Sequence, residues 1–62
     1  MIYLTTKEGN SILCGREIEE SFKNLYYFCK KNNIDSFHLN LNEEKSKQYF
    51  MKDIVSFCTK EE

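Results

Sequence analysis

Between Ile18 and Lys31, the apolar residues Ile18, Phe22, Leu25, Tyr26 and Cys29 follow one another at spacings of four, three, one and three. At about 100° per residue these spacings set all five on one face, which makes the stretch an amphipathic helix with a single buried stripe. Glu19, Glu20, Lys23, Asn24 and Lys31 point the other way, and Glu19 precedes Lys23 by four residues in the order that favours a helical ion pair. The ends are marked as well. Gly15 breaks the preceding segment, and Glu17, Glu19 and Glu20 oppose the positive end of the helix dipole from near Arg16 onward. Lys30 and Lys31 suit the negative end, and Asn32-Asn33 is a stop because asparagine accepts the left-handed conformation.

The rest of the chain must be laid against that stripe. Ile2 to Thr5 alternates, with Ile2 and Leu4 on one side and Tyr3 and Thr5 on the other, as a half-buried strand does. Lys7-Glu8-Gly9-Asn10 supplies a turn, and Ser11 to Cys14 reads as a second strand whose facing stays open, because Ile12, Leu13 and Cys14 are all apolar. Ser36 to Leu41 is a third strand, with Phe37, Leu39 and Leu41 opposite His38 and Asn40. Asn42 resembles a helix cap followed by Glu43 and Glu44. Phe50, Met51, Ile54, Val55 and Cys58 then fit a second helical stripe that leads to a charged, frayed tail, Lys60-Glu61-Glu62.

This order, ββαβα, predicts an α+β chain folded as a two-layer α/β sandwich. Strand three lies parallel to strand two and beside strand one, giving a three-stranded sheet in the order 2-1-3 with both helices on one face. Tyr3, Thr5, His38, Asn40 and, in one facing of strand two, Leu13 would then occupy an uncovered sheet face.

Sixty-two residues make a single domain, 1–62, with a small core. Five Phe and four Tyr strengthen that core with large buried area per residue. Nine Lys and Arg against ten Asp and Glu give a net charge of −1, too weak a field to favour nucleic acid or anionic lipid. Three cysteines, Cys14, Cys29 and Cys58, form no CxxC pair, and an odd number suits a reducing cytoplasm. No signal peptide or membrane span is visible, so the expectation is a soluble cytoplasmic chain, complete as written. The absence of Ala and the abundance of Lys, Asn, Ile, Phe and Tyr match AT-rich codons, as in a low-GC bacterium or one of its phages.

The residues argue against catalysis. Cys14, Cys29, His38 and Cys58 could in principle ligate zinc, but spacings of 15, 9 and 20 lack the close pairs of structural sites. Strand and helix geometry also point His38 and the cysteines in different directions, so no metal is expected. Only Cys14 lies near a helix N-terminus, where a thiolate is favoured. The glutamates sit in first helical turns, and no GxGxxG, P-loop or HExxH is present. The expected chain is not an enzyme and holds no cofactor.

What remains is an aromatic surplus. Tyr27 and Tyr49 fall on the solvent side, about 160° and 170° from their stripe centres, and Phe28 and Phe57 lie at the flanks. Together with Tyr3 and His38 on the sheet face, these six are the candidate partner-binding residues, because Tyr and Phe give much contact area for little lost rotamer freedom. The sequence therefore predicts a small protein-interaction module that regulates or inhibits a larger protein, of the kind that phages and mobile elements direct at host or defence enzymes. Two alternatives accompany it. One is a homodimer formed through the bare sheet face or a sheet edge, and the other is a single-stranded nucleic-acid binder stacking bases on Tyr3 and His38.

Overall fold

Alternation in the first residues dictates the first hairpin. The computed structural model describes residues 1–60 and pairs β1 (Ile2–Thr6) with β2 (Gly9–Leu13) in antiparallel register, Lys7 and Glu8 alone forming the connection. Gly9 permits so short a link, because its φ of 138° lies where side chains are strained. The Thr6 hydroxyl donates to the Gly9 carbonyl at 3.0 Å and accepts from the Glu8 N–H at 3.3 Å. Ile2 and Leu4 are buried and Tyr3 faces out, while on β2 Leu13 opposite Ile2 is buried and Ile12 opposite Tyr3 is exposed. The open question of strand two is thereby answered.

The amphipathic stretch forms α1 (Arg16–Asn32), with Phe22 and Cys29 buried and Ile18, Leu25 and Tyr26 packed against the core. Asn33 ends it in the left-handed conformation, φ 56° and ψ 39°, and both the Asn33 and Ile34 N–H groups donate to the Cys29 carbonyl. Glu19 pairs at 2.6 Å with the Met1 amino group, so the expected Glu19–Lys23 pair gives way to a longer-range one.

β3 (Ser36–Asn40) forms where the alternation places it, with Phe37 and Leu39 buried and His38 exposed. Its partner is not β1. It pairs with β4 (Ser46–Phe50), and after one turn of 3₁₀ helix (Met51–Asp53) the chain enters β5 (Ile54–Thr59), which takes the place beside β1. The result is a three-stranded antiparallel sheet, β2-β1-β5, one helix, and a second sheet of two strands, β3-β4. The element order is ββαβββ in place of the expected ββαβα, and the expected second helix is absent from the described residues.

Composition explains the difference. Residues 46–59 contain no Ala, Leu, Glu or Arg, whereas Tyr, Phe, Ile, Val and Thr favour the pleated surface of a sheet. The helical spacing of Phe50, Met51, Ile54, Val55 and Cys58 was the accidental sum of two strands and a turn. Phe50 and Val55 stand 42% and 63% exposed, Cys58 is exposed, and only Met51 and Ile54 are partly buried. Conversely, Tyr49, expected on the solvent side, is 5% exposed, and Phe57 packs on the core. Val55 is the extra residue of a bulge, since Thr5 faces Ser56 while Thr6 faces Ile54. Asn42 does cap, but it caps a loop. Its Oδ1 accepts from the N–H groups of Glu44 and Lys45, both at 2.8 Å, and so closes the β3–β4 turn. Of the expected tail, Lys60 exchanges backbone hydrogen bonds with Met1, and Glu61 and Glu62 lie outside the described residues.

Ile2, Leu4 and Leu13 from the first sheet, Phe22 and Cys29 from α1, and Phe37, Leu39 and Tyr49 from the second sheet make the core. Truncating the fully buried Phe22 to Ala should cost about 3–5 kcal/mol, a large part of the stability of so small a domain. Phe50→Ala and Val55→Ala should each cost no more than ~0.5–1 kcal/mol in urea unfolding. Costs of several kcal/mol at both Phe50 and Val55 would instead place them on a buried helical stripe.

Candidate protein-binding surface

Aromatic rings connect the core to the surface. Phe22, fully buried on α1, meets Phe37 and Tyr49 of the second sheet edge-on, with centroids 5.8 and 6.0 Å away. It meets Phe57 of β5 edge-on at 5.1 Å. Phe57 in turn contacts Tyr26 at 5.0 Å and Tyr27 at 6.4 Å, and Tyr26 and Tyr27 meet at 5.3 Å. Such edge-to-face pairs add roughly 0.5–1.5 kcal/mol each beyond area burial. The chain of rings thus runs from Phe37 and Tyr49 through Phe22 and Phe57 to Tyr27, which is 57% exposed.

Phe28, next to Tyr27 on α1, is also 57% exposed and makes none of these ring contacts. Its carbonyl accepts from the Asn32 side chain at 2.9 Å, so the backbone behind it is held in the last turn of the helix. Tyr27 and Phe28 each expose an aromatic ring on α1, at successive positions about 100° apart around the helix. Rings of this kind serve as interface anchors, because they give a large contact area through few rotatable bonds.

The six candidate residues do not form one surface. Tyr27 and Phe28 lie on α1 with Phe57 beneath Tyr27, but Tyr49 is withdrawn into the core, where Lys47 covers its ring with Nζ 5.1 Å from the centroid. Tyr3 is on the first sheet and His38 on the second. Tyr3 is half-covered, with its hydroxyl on the Met1 sulfur at 3.5 Å and the Lys60 Nζ 5.1 Å over its ring. A shared stacking platform for bases, expected from Tyr3 and His38 on one face, is therefore split between two sheets.

Sequence reasoning missed Ile12 and Val55, both more than half exposed. The signal for Val55 lay in Ile54-Val55-Ser56-Phe57-Cys58-Thr59, where β-branched and aromatic residues stand side by side without a helix former. Ile12 follows from placing Leu13 opposite Ile2, a register that the sequence did not determine.

Among the described residues no three His, Cys, Asp or Glu side chains gather as a metal site, and Cys14 and Cys58 are exposed while Cys29 is buried. A depression between the start of α1 and the β3–β4 turn is lined by Glu17, Ile18, Leu41, Asn42, Glu43 and Lys45 among others. No helix among the described residues is long and apolar enough to cross a membrane. No protein-family model, curated protein or solved structure matches this chain.

Burial pushes the Tyr49 phenol above its ordinary value of 10.0, because the charged form would be desolvated. A raised folded value means that the contribution of Tyr49 is present below the unfolded value and is lost as pH rises through the folded one. Thermal melting should therefore fall more steeply above pH ~10 in the wild type than in Tyr49→Phe. Identical alkaline profiles would place that hydroxyl in water.

Proposed function

We propose that this chain is a small protein-interaction module of the cytoplasm, a regulator or inhibitor that acts by occupying a surface of a larger protein. The observation that supports this reading is the pair Tyr27 and Phe28, adjacent, each 57% exposed, and carried by the helix that the Phe22 ring cluster anchors. Water gains nothing from two such rings, whereas a partner pocket gains a large contact area from them. The small size and AT-rich composition suit a phage- or mobile-element-encoded antagonist of a host or defence enzyme.

The test is capture from nuclease-treated lysate of a low-GC bacterium and its phage-resistant strains, using tagged full-length chain. Wild type should retain a stoichiometric protein. Tyr27→Ala and Phe28→Ala should each weaken that capture by about 30-fold, the effect of losing an anchor worth about 2 kcal/mol. The melting temperature of Phe28→Ala should stay near that of the wild type, because that ring makes no ring contact, whereas Tyr27→Ala loses its contacts with Tyr26 and Phe57 and should melt several degrees lower, so its capture is compared at a temperature where it remains folded. Tyr3→Ala, on the first sheet, is the comparison that should bind normally. Undiminished capture by the Tyr27 and Phe28 variants, or recovery of nucleic acid alone, would contradict the proposal.

A further inference from the structure

We infer that two copies of this chain pair edge to edge through β5, with Cys58 of each copy on the two-fold axis. The reasoning starts with the direction of the backbone groups. Met1 and Lys60 exchange both of their hydrogen bonds, at 3.0 and 2.9 Å, and so form a hydrogen-bonded antiparallel pair. Such pairs alternate with non-hydrogen-bonded ones along a ladder. Through the register Ile2–Thr59, Tyr3–Cys58 and Leu4–Phe57, Tyr3 and Cys58 therefore bond to each other, while Phe57 and Thr59 direct their N–H and C=O groups away from β1. Those groups face the outer edge of the sheet, and no partner for them occurs among the described residues.

Sheet edges are usually defended by charge, proline or a bulge. Ile54–Thr59 contains no charged residue and no proline, and its bulge at Val55 protects only the beginning of the strand. The undefended part is Ser56 to Thr59. The opposite edge, β2, reads Gly9-Asn10-Ser11-Ile12-Leu13 and is the poorer template, because Gly, Asn and Ser disfavour pairing whereas Phe and Thr favour it.

A second copy is the occupant that fits this edge. Two β5 strands related by a two-fold axis at Cys58 set Phe57 opposite Thr59 of the other copy, and Thr59 opposite Phe57, so every regular outward-facing group on the edge finds its complement. Centring the axis on Phe57 instead would draw the irregular backbone at Val55 into the ladder. In the register at Cys58, Ser56 stands opposite Lys60, and no like charges meet. Lys60 is in any case drawn back over Tyr3 of its own chain. The product is a continuous six-stranded sheet, which supplements a core that a chain of this size can only make small. Tyr27 and Phe28 are carried by α1, Tyr27 over Phe57 on the helix side of the sheet, so each copy keeps its own two exposed rings and the pair is bivalent.

Cys58 provides the readout. It is exposed, and the two copies of it would form a non-hydrogen-bonded pair with Cα atoms about 4.5 Å apart, within the ~4.4–6.8 Å that a disulfide spans. The full chain should sediment as a concentration-dependent dimer, with a melting temperature that rises with concentration. Under copper–phenanthroline oxidation Cys14→Ser should cross-link to a dimer and Cys58→Ser should not. Cys58→Glu opposes two carboxylates on the axis and should weaken the dimer at least 10-fold while keeping the circular dichroism of the wild type. A monomer at every concentration up to about 1 mM, a dimer undiminished in Cys58→Glu, or equal cross-linking by Cys58→Ser would overturn the inference. Tyr27→Ala should dimerise normally and Cys58→Glu should still capture a partner, so this pairing and the aromatic binding surface stand or fall separately.

Discussion

The edge-to-face contacts of Phe22 hold this molecule together. The two sheets share no ladder, and the helix touches each of them through side chains. One ring on α1 meets Phe37 and Tyr49 on one side and Phe57 on the other, so a single residue ties the helix to both sheets. A backbone bond from the Lys7 N–H to the Asp53 carbonyl, at 2.9 Å, adds a second link between the first hairpin and the turn that leads into β5. In a domain with so little apolar volume, rings that are large and geometrically selective do what a broader aliphatic core does elsewhere.

That dependence explains which parts of the fold the sequence reveals. The stripe from Ile18 to Cys29, the stop at Asn33 and the alternations of Ile2–Leu4 and Phe37–Leu39 are local signals, each complete within a few residues, and each is found where expected. The second half misleads because its signal is not local. Tyr49 goes inside on account of Phe37 across the ladder and Phe22 against it, and the partly buried Phe57 packs on the core through Leu4 and Phe22. A wheel drawn on residues 50–58 sees none of these partners and finds a helical period in two unrelated strands. Ile54, Val55 and Phe57 favour a strand by propensity, and β5 forms there. β1 is central in a three-stranded sheet as expected, but its second neighbour is β5 in place of the strand Ser36–Leu41.

The candidate surface divides along the same line. Tyr27 and Phe28 could be read from helix one alone and are exposed as the wheel placed them, whereas Tyr49, inferred from the second wheel, is the residue most thoroughly displaced. The proposed binding surface is accordingly smaller than the six residues that the sequence offers. It consists of Tyr27, backed by Tyr26 and Phe57, and Phe28 at the next position of α1, while Tyr3 and His38 belong to two different sheets.

The most direct test of this account is the proton–proton NOE pattern of residues 54–59 in solution. In antiparallel strands the Hα protons of non-hydrogen-bonded pairs are close neighbours, so strong Hα–Hα cross-peaks are expected between Leu4 and Phe57 and between Ile2 and Thr59. Contacts from Ile54 to Phe57 and Cys58 at the three- and four-residue spacings of a helix, with those cross-strand peaks missing, would contradict it.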